Sequence, residues 1–330
     1  MSILVLTQGD VEMLLPMDEC IQVMSEAMAA LAREQAFQPV RMMVRPPGAH
    51  GFMALMPAYV APETGPAFFG LKALCVFHDN PALGKDAHQG AVLLFSGETG
   101  EPLAMMNASA LTAIRTGAVS GLATRLLARE DAGDCAIIGA GVQARTHLAA
   151  MRAVRRLQRV RVAGRTLAHA QQFAQELGAG APFPIEAVAS VEAAVRGADL
   201  IVTATTANEP ILKREWIAPG AHINAVGAYT PTTREVDGET MAAARLFVDR
   251  RESALAEAGD ILLPMQAGLF GPEHILAEIG EVVIGSRPGR ATPSEITLFK
   301  SVGLPVEDAA AAEHVYRRAV QRSMGTRLAF

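Results

Sequence analysis

Apolar positions recur along this chain with the period of a helix in some stretches and as short, nearly continuous runs in others. After Pro16, residues Ile21, Met24, Met28 and Leu31 recur at i, i+3, i+7 and i+10, with Glu26 and Arg33 on other faces. That spacing predicts an amphipathic helix with Pro16 in its first turn. Apolar runs at 40–44, 52–56, 71–77 and 91–95 read as strands, separated by Pro46-Pro47-Gly48, by Glu63-Thr64-Gly65-Pro66 and by the polar stretch from His78 to Gln89. Strands that follow one another so directly predict an antiparallel or mixed sheet. From Ser109 to Leu127 the helical period returns, with Leu111, Ile114, Ala118, Leu122 and Leu126 on one face and Thr112, Arg115 and Thr116 beside it.

Beyond the turn at 129–133 the grammar changes. Cys135 to Ile138 is a short apolar run, Gly139-Ala140-Gly141 a tight turn, 142–157 helical and 160–163 a second strand. Helical stretches at 168–177 and 191–195 then alternate with strand-like runs at 184–188, 200–203, 222–226 and 246–248. Such alternation predicts a parallel sheet covered on both faces through right-handed crossovers. An Ala-rich helix over 306–324 closes the chain and is expected to pack back on the first domain. The expected division is therefore 1–130 with 305–330, and 131–304.

A length of 330 residues, half of them hydrophobic, agrees with about two domains and a sizeable core. With 29 Lys+Arg against 34 Asp+Glu the formal charge is −5, which gives neither nucleic acid nor an anionic membrane a reason to bind. Charged or polar residues interrupt every apolar run well before the ~18 residues of a spanning helix. No basic segment followed by an apolar one opens the chain, and a cytoplasmic address is expected. Cys20, Cys75 and Cys135 lie far apart in apolar contexts and read as buried, inert thiols. His78, Asp79, Asp86 and His88 share a loop without ligand spacing, so no metal is predicted.

Gly139-Ala140-Gly141-Val142-Gln143-Ala144 matches G-x-G-x-x-[GA] between a strand and a helix, the context in which a glycine turn receives a dinucleotide pyrophosphate at a helix N-terminus. From Cys135 through Gln175 there is no carboxylate to accept from a ribose 2′-OH, and the second strand ends in Gly164-Arg165-Thr166. Arg165 is therefore expected to meet a 2′-phosphate, making NADPH the preferred cofactor and NADH a possible one. Arg152, Arg155, Arg156 and Arg159 in the same window read as solvated helix-face residues. Candidate cofactor contacts are Gly139, Gly141, Val142, Gln143, Arg165 and Thr166, with Thr116, Thr205 and Val226. In the first domain, Arg41, Lys72 and Arg115 are cations at element ends or inside apolar runs. Lys72 stands out, because a lysine amid 68–77 must escape to solvent or find an anion.

At these positions the chain resembles the ornithine cyclodeaminase and mu-crystallin family. The resemblance rests on Pro39-Val40-Arg41, Met56-Pro57-Ala58-Tyr59, Gly70-Leu71-Lys72, His88-Gln89, Val92-Leu93-Leu94-Phe95, Glu98-Thr99-Gly100, Leu111-Thr112-Ala113-Ile114-Arg115-Thr116, the glycine turn, Pro219 through Gly227, Gly259-Asp260 and Phe299-Lys300-Ser301, in the family's order. It implies an α/β protein with a Rossmann-type doubly wound parallel sheet and an α+β domain that binds substrate and forms a homodimer through its sheet. It further implies that Arg41 and Arg115 bind a carboxylate and that Lys72 is the active-site lysine. An imino or amino acid is then the expected substrate, with a guanidinium fork on its carboxylate and an ammonium near its nitrogen.

Cyclodeaminases of this family carry an Asp in the loop after Asn-Ala-Val-Gly, where this chain has Tyr229. The mu-crystallin branch, whose members reduce ketimines, also lacks it, and 227–236 resembles that branch more closely. His78 and Asn107 stand where a proline and an Asp are usual, which bears on substrate size and polarity. The expected activity is NAD(P)H-dependent reduction of cyclic ketimino acids of the pyrroline-2-carboxylate or piperideine-2-carboxylate type. The alternatives are a cyclodeaminase, an open-chain amino-acid dehydrogenase, and a non-catalytic protein that binds NADPH and a small anion.

Overall fold

The computed structural model describes residues 2–77 and 79–329. Strands β1 (Ser2–Leu6), β2 (Ala36–Phe37), β3 (Met42–Val44), β4 (Phe52–Val60), β5 (Phe68–Val76), β6 (His88–Ser96) and β7 (Pro102–Asn107) belong to one sheet, with helices α1 (Gln8–Leu14) and α2 (Met17–Ala32) between β1 and β2. Pro16 caps α2 from just outside it, and the predicted stripe Ile21, Met24, Met28 and Leu31 is buried. The β4–β5–β6–β7 pairs are antiparallel while β1 lies parallel to β7, so the sheet is mixed.

Helix α3 (Ala108–Leu127) leads into β8 (Asp134–Ile138), α4 (Val142–Val154), β9 (Arg159–Ala163) and α5 (Leu167–Gly178). Strands β10 (Ile185–Ala187), β11 (Leu200–Thr203), β12 (His222–Ala225), β13 (Arg245–Val248), β14 (Ile275–Glu278) and β15 (Thr297–Lys300) follow. They form a second sheet in the order β10-β9-β8-β11-β12-β15-β13-β14, parallel throughout. The order runs outward in both directions from the β8/β11 junction, which is a doubly wound sheet with its switch point after β8 and β11. The helix Pro305–Arg322 and β16 (Thr326–Ala329), antiparallel to β1, return to the first sheet.

Two compact units result: Met1–Arg115 with Gly303–Phe330, and Thr116–Val302. The division lies inside α3, ahead of the turn at 129–133, because the second half of α3 bonds within the nucleotide-type unit: Asn224 Nδ2 donates to Thr124 Oγ1 at 2.9 Å, and Ser120 meets His147 at 2.9 Å. Helix α3 is buried around its whole circumference from Arg115 to Thr124, not only along the predicted stripe. In the first unit, the helix Pro305–Arg322 covers the inner face of β4 to β6 and packs on α2. Gly70 makes that approach possible, since a Cβ there would lie 2.5 Å from the Ala309 Cβ. No described helix is long and apolar enough to cross a membrane.

Candidate active site

Strand β5 alternates buried and outer positions, and Lys72 takes a buried one between Gly70 and Leu74, opposite Met56 and Val92. It is 2% exposed and finds an anion: Nζ lies 2.7 Å from Asp308 Oδ2 and 3.4 Å from Thr112 Oγ1. Arg115, 3% exposed, donates from Nε to Asp308 Oδ1 at 2.9 Å and from Nη1 to Glu307 Oε2 at 2.6 Å. Both acids occupy the first turn of the helix Pro305–Arg322, where the helix dipole favours negative charge. Arg41 Nη2 donates to the Gly303 carbonyl at 2.8 Å, and Gln38 Oε1 accepts from the Val306 amide at 2.8 Å, so 38–41 closes over the start of that helix. Burial lowers the Lys72 ammonium from 10.5 to about 7, with Asp308 opposing the fall and Arg115 and Arg41 adding to it.

In the second unit, β8 runs into the predicted glycine turn. Gly139 has φ +119, and a Cβ on it would lie 2.4 Å from the Ala204 carbonyl oxygen. Gly141 is the N-cap of α4, with no side-chain cap and no atom within 4 Å of an added Cβ. A turn pressed against the strand on one side and open on the other, leading into uncapped amides, fits a dinucleotide pyrophosphate. Val142 is 62% exposed on this first turn. One turn on, His147 is buried; it donates from Nδ1 to the Gln143 carbonyl at 2.6 Å and accepts from Ser120 at Nε2. Burial lowers its pKa from 6.5 to about 4, so the imidazole is neutral. Arg165 stands exposed just past β9, and Thr166 caps α5 by accepting from His169.

The loops after β11 and β12 are tied together by Glu235, which is fully buried. It accepts from Thr203 Oγ1 at 2.8 Å and, at 2.7 Å each, from the Thr205 amide, Thr205 Oγ1 and the Gly227 amide. Burial and the neighbouring Asp260 raise its pKa, and Lys300 opposes them. Asp260 accepts from the Glu235 and Val236 amides and pairs with Lys300 Nζ at 2.9 Å.

The structure thus brings Lys72 and Arg115 onto one carboxylate with Arg41 near by, and gathers Gly139, Gly141, Val142 and Gln143 at one helix start. Thr116 and Val226 are buried at α3 and at the end of β12. Tyr229 is half-buried after β12 and packs against the core of its unit. One of the arginines expected in solvent is not there: Arg155 donates to the carbonyls of Thr124, Ala128 and Arg129 at the end of α3. Arg155 thereby supplies donors to carbonyls at the C-terminal end of α3, which the helix leaves partly unsatisfied. Arg159 remains solvent-accessible but opens β9 rather than lying on a helix face, and it bonds Asp134. Of the loop considered for a metal, His78 lies outside the described residues. Among the described residues no group of three His, Cys, Asp or Glu side chains is placed to hold an ion.

The sequence pattern of the ornithine cyclodeaminase/mu-crystallin family matches residues 1–323. The chain belongs to this family. Within it, a Delta(1)-pyrroline-2-carboxylate reductase of Bacillus cereus is 37% identical over 328 residues, covering 99% of this chain and 100% of that protein. The ketimine reductase mu-crystallin of Mus musculus is 42% identical over 279 residues, 84% of each chain. Among solved family structures, that of Thermococcus litoralis Delta(1)-pyrroline-2-carboxylate reductase in complex with NADH and L-proline has a TM-score of 0.94 at 39% identity, covering 98% of this chain and 99% of that one. Glu307 and Asp308, which pair with Arg115 and Lys72, and Glu235, which ties the loops after β11 and β12, are not singled out by the sequence alone. The available signal was two adjacent acids opening an otherwise Ala-rich helix.

Proposed function

We propose that this protein is an NAD(P)H-dependent reductase of cyclic ketimino acids, converting five- or six-membered imine carboxylates to proline- or pipecolate-like amino acids. The observation that carries the reading is the buried Lys72 and Arg115 pair beside Arg41, in a family member with Tyr229 where a cyclodeaminase has its acid. Arg41 and Arg115 hold the substrate carboxylate, and the guanidinium fork sets the orientation of the ring. Lys72 donates a proton to the imine nitrogen, which leaves the adjacent carbon electrophilic. When bound, the dinucleotide supplies the hydride that this carbon accepts. On the protein side, Gly139, Gly141, Val142 and Gln143 receive the pyrophosphate; Thr166, Thr116, Thr205 and Val226 line the remainder of the nucleotide path. Arg165 and the lack of a ribose acid favour NADPH, with NADH also accepted.

The assay is oxidation of NADPH and of NADH in the presence of pyrroline-2-carboxylate or piperideine-2-carboxylate. Turnover of at least one imine is expected, faster with NADPH at equal concentration. No turnover with either imine overturns the reading. We also infer a homodimer built on the outer face of the first sheet, where Met53, Phe69 and Met105 are exposed and the Tyr59 ring lies tilted against that of Phe69 at 4.7 Å.

A further inference from the structure

We propose that Asp308 is the positioning residue through which Lys72 acts, one oxygen holding the lysine head and the other the Arg115 guanidinium. The inference rests on the reductase reading and deepens it. Oδ2 meets Lys72 Nζ at 2.7 Å and Oδ1 meets Arg115 Nε at 2.9 Å, so a single 1%-exposed carboxylate fixes both cations from opposite sides. Its own place is determined by the fold. Gly70, two residues before Lys72 on the same face of β5, admits Ala309, the neighbour of Asp308, into contact with the strand.

A buried ion pair is a poor way to gain stability, because desolvation of both charges offsets most of their attraction. Here it supplies something an apolar pair cannot, a lysine held as a proton donor. Reduction adds a hydride to the imine carbon and a proton to the nitrogen. The hydride comes from the reduced nicotinamide, which is oxidised; an N–H bond of the Lys72 ammonium breaks and the new N–H bond forms on the substrate. Lys72 is left as an amine that recovers its proton from water, while Asp308 stays bonded to Arg115.

The charged and titratable groups around Lys72 are Arg115 of α3, Arg41 ahead of β3, and Asp308 with Glu307 on the last helix. The Thr112 hydroxyl touches it, and the Cys20 thiol of α2, kept protonated by burial, lies in the field of Arg115 and Glu307. Of the groups acting on Lys72, Asp308 is the one that raises its pKa.

The test uses the full-length enzyme with D308N, D308E, K72M and K72M/D308N, reading kcat against pH, NADH affinity by fluorescence, and the thermal midpoint. D308N is expected to lower kcat roughly tenfold to a hundredfold and to move the alkaline limb of the profile to lower pH by about one unit, with NADH affinity unchanged. D308E, which keeps the charge, is expected to keep the limb in place while lowering kcat. The double variant is expected to be no slower than K72M, since both changes break one device. A D308N limb at the parental pH, or losses that multiply in the double variant, overturns the proposal. If D308N does not fold, a D308E variant with parental kcat overturns it equally. If K72M itself turns over normally, the reductase site reading fails; if K72M is inactive and D308N keeps the parental profile, only the role of Asp308 fails.

Discussion

At Lys72 the alternation of β5 forces a choice that sequence alone leaves open, because the strand's buried face offers a lysine no water. The partner that resolves it comes from the far end of the chain; Asp308 is 193 residues beyond Arg115, which it also binds. No local period announces such a contact, so the two cations were legible from their context and their acids were not. Lys72→Met keeps volume and apolar character. It is expected to lower the thermal midpoint, because Asp308 loses one of its two buried cations, yet to leave a folded chain that binds NADH, while reduction of the best imine falls by about 10²-fold or more, measured as kcat in the NADPH assay. With Lys72 lowered to about 7, the fraction able to donate falls as pH rises, so kcat/KM of the parent enzyme should decline above about pH 7. A second pair of buried groups acts on stability instead. His147 and His222 are held neutral, at about 4 and about 3 against 6.5 unfolded. Between pH 6.5 and 4 the unfolded chain takes up protons that the native state refuses, so the stability present above pH 6.5 drains away as pH falls, on the order of a few kcal/mol. A thermal midpoint that is flat from pH 7 to 4.5 would contradict this, and His147→Gln should reduce the slope while leaving the part due to His222.

Among the elements, those with strong periodicity were readable to within a few residues: α2, the strand–turn–helix at β8 and α4, and the strands β9, β11 and β12. Strand β7 was not, because it opens on Pro102 and is only six residues long, and its place is fixed by pairing with β1 and β6. Strands β14 and β15 were hidden for a similar reason: four residues each, in a segment whose flanking turns dominate the pattern, they exist through the parallel ladder. The end of β9 carries the proposed choice of cofactor. On the proposed contact between Arg165 and a 2′-phosphate, Arg165→Asp would remove a cation and add a like charge beside it, an expected loss of about 1.5–3 kcal/mol, or roughly tenfold to a hundredfold in the Michaelis constant for NADPH. NADH should be little affected, and equal NADPH constants before and after the change would refute the assignment.

On the scale of the whole molecule, the outer face of the first sheet carries Met53, Pro57, Phe69 and Met105, a patch of the kind that soluble chains cover with a second copy. Sedimentation at micromolar concentration should show twice 34.8 kDa, and Phe69→Arg should move the equilibrium to the monomer; a parent that sediments only at 34.8 kDa refutes the dimer. The two compact units also differ in how the chain supplies them. Residues 116–302 are continuous, whereas the sheet holding Lys72 is completed by 303–330. Because domains fold as units while synthesis proceeds from the N-terminus, a ribosome delivers everything the dinucleotide turn needs before it delivers Glu307 and Asp308. Until residues 303–322 have been added, Lys72 and Arg115 lack the carboxylates of Glu307 and Asp308 and the inner sheet lacks the helix that covers it. The order of translation therefore acts as a latch: the continuous unit of residues 116–302 can form early, whereas the pairing of Lys72 and Arg115 waits for residues 307 and 308.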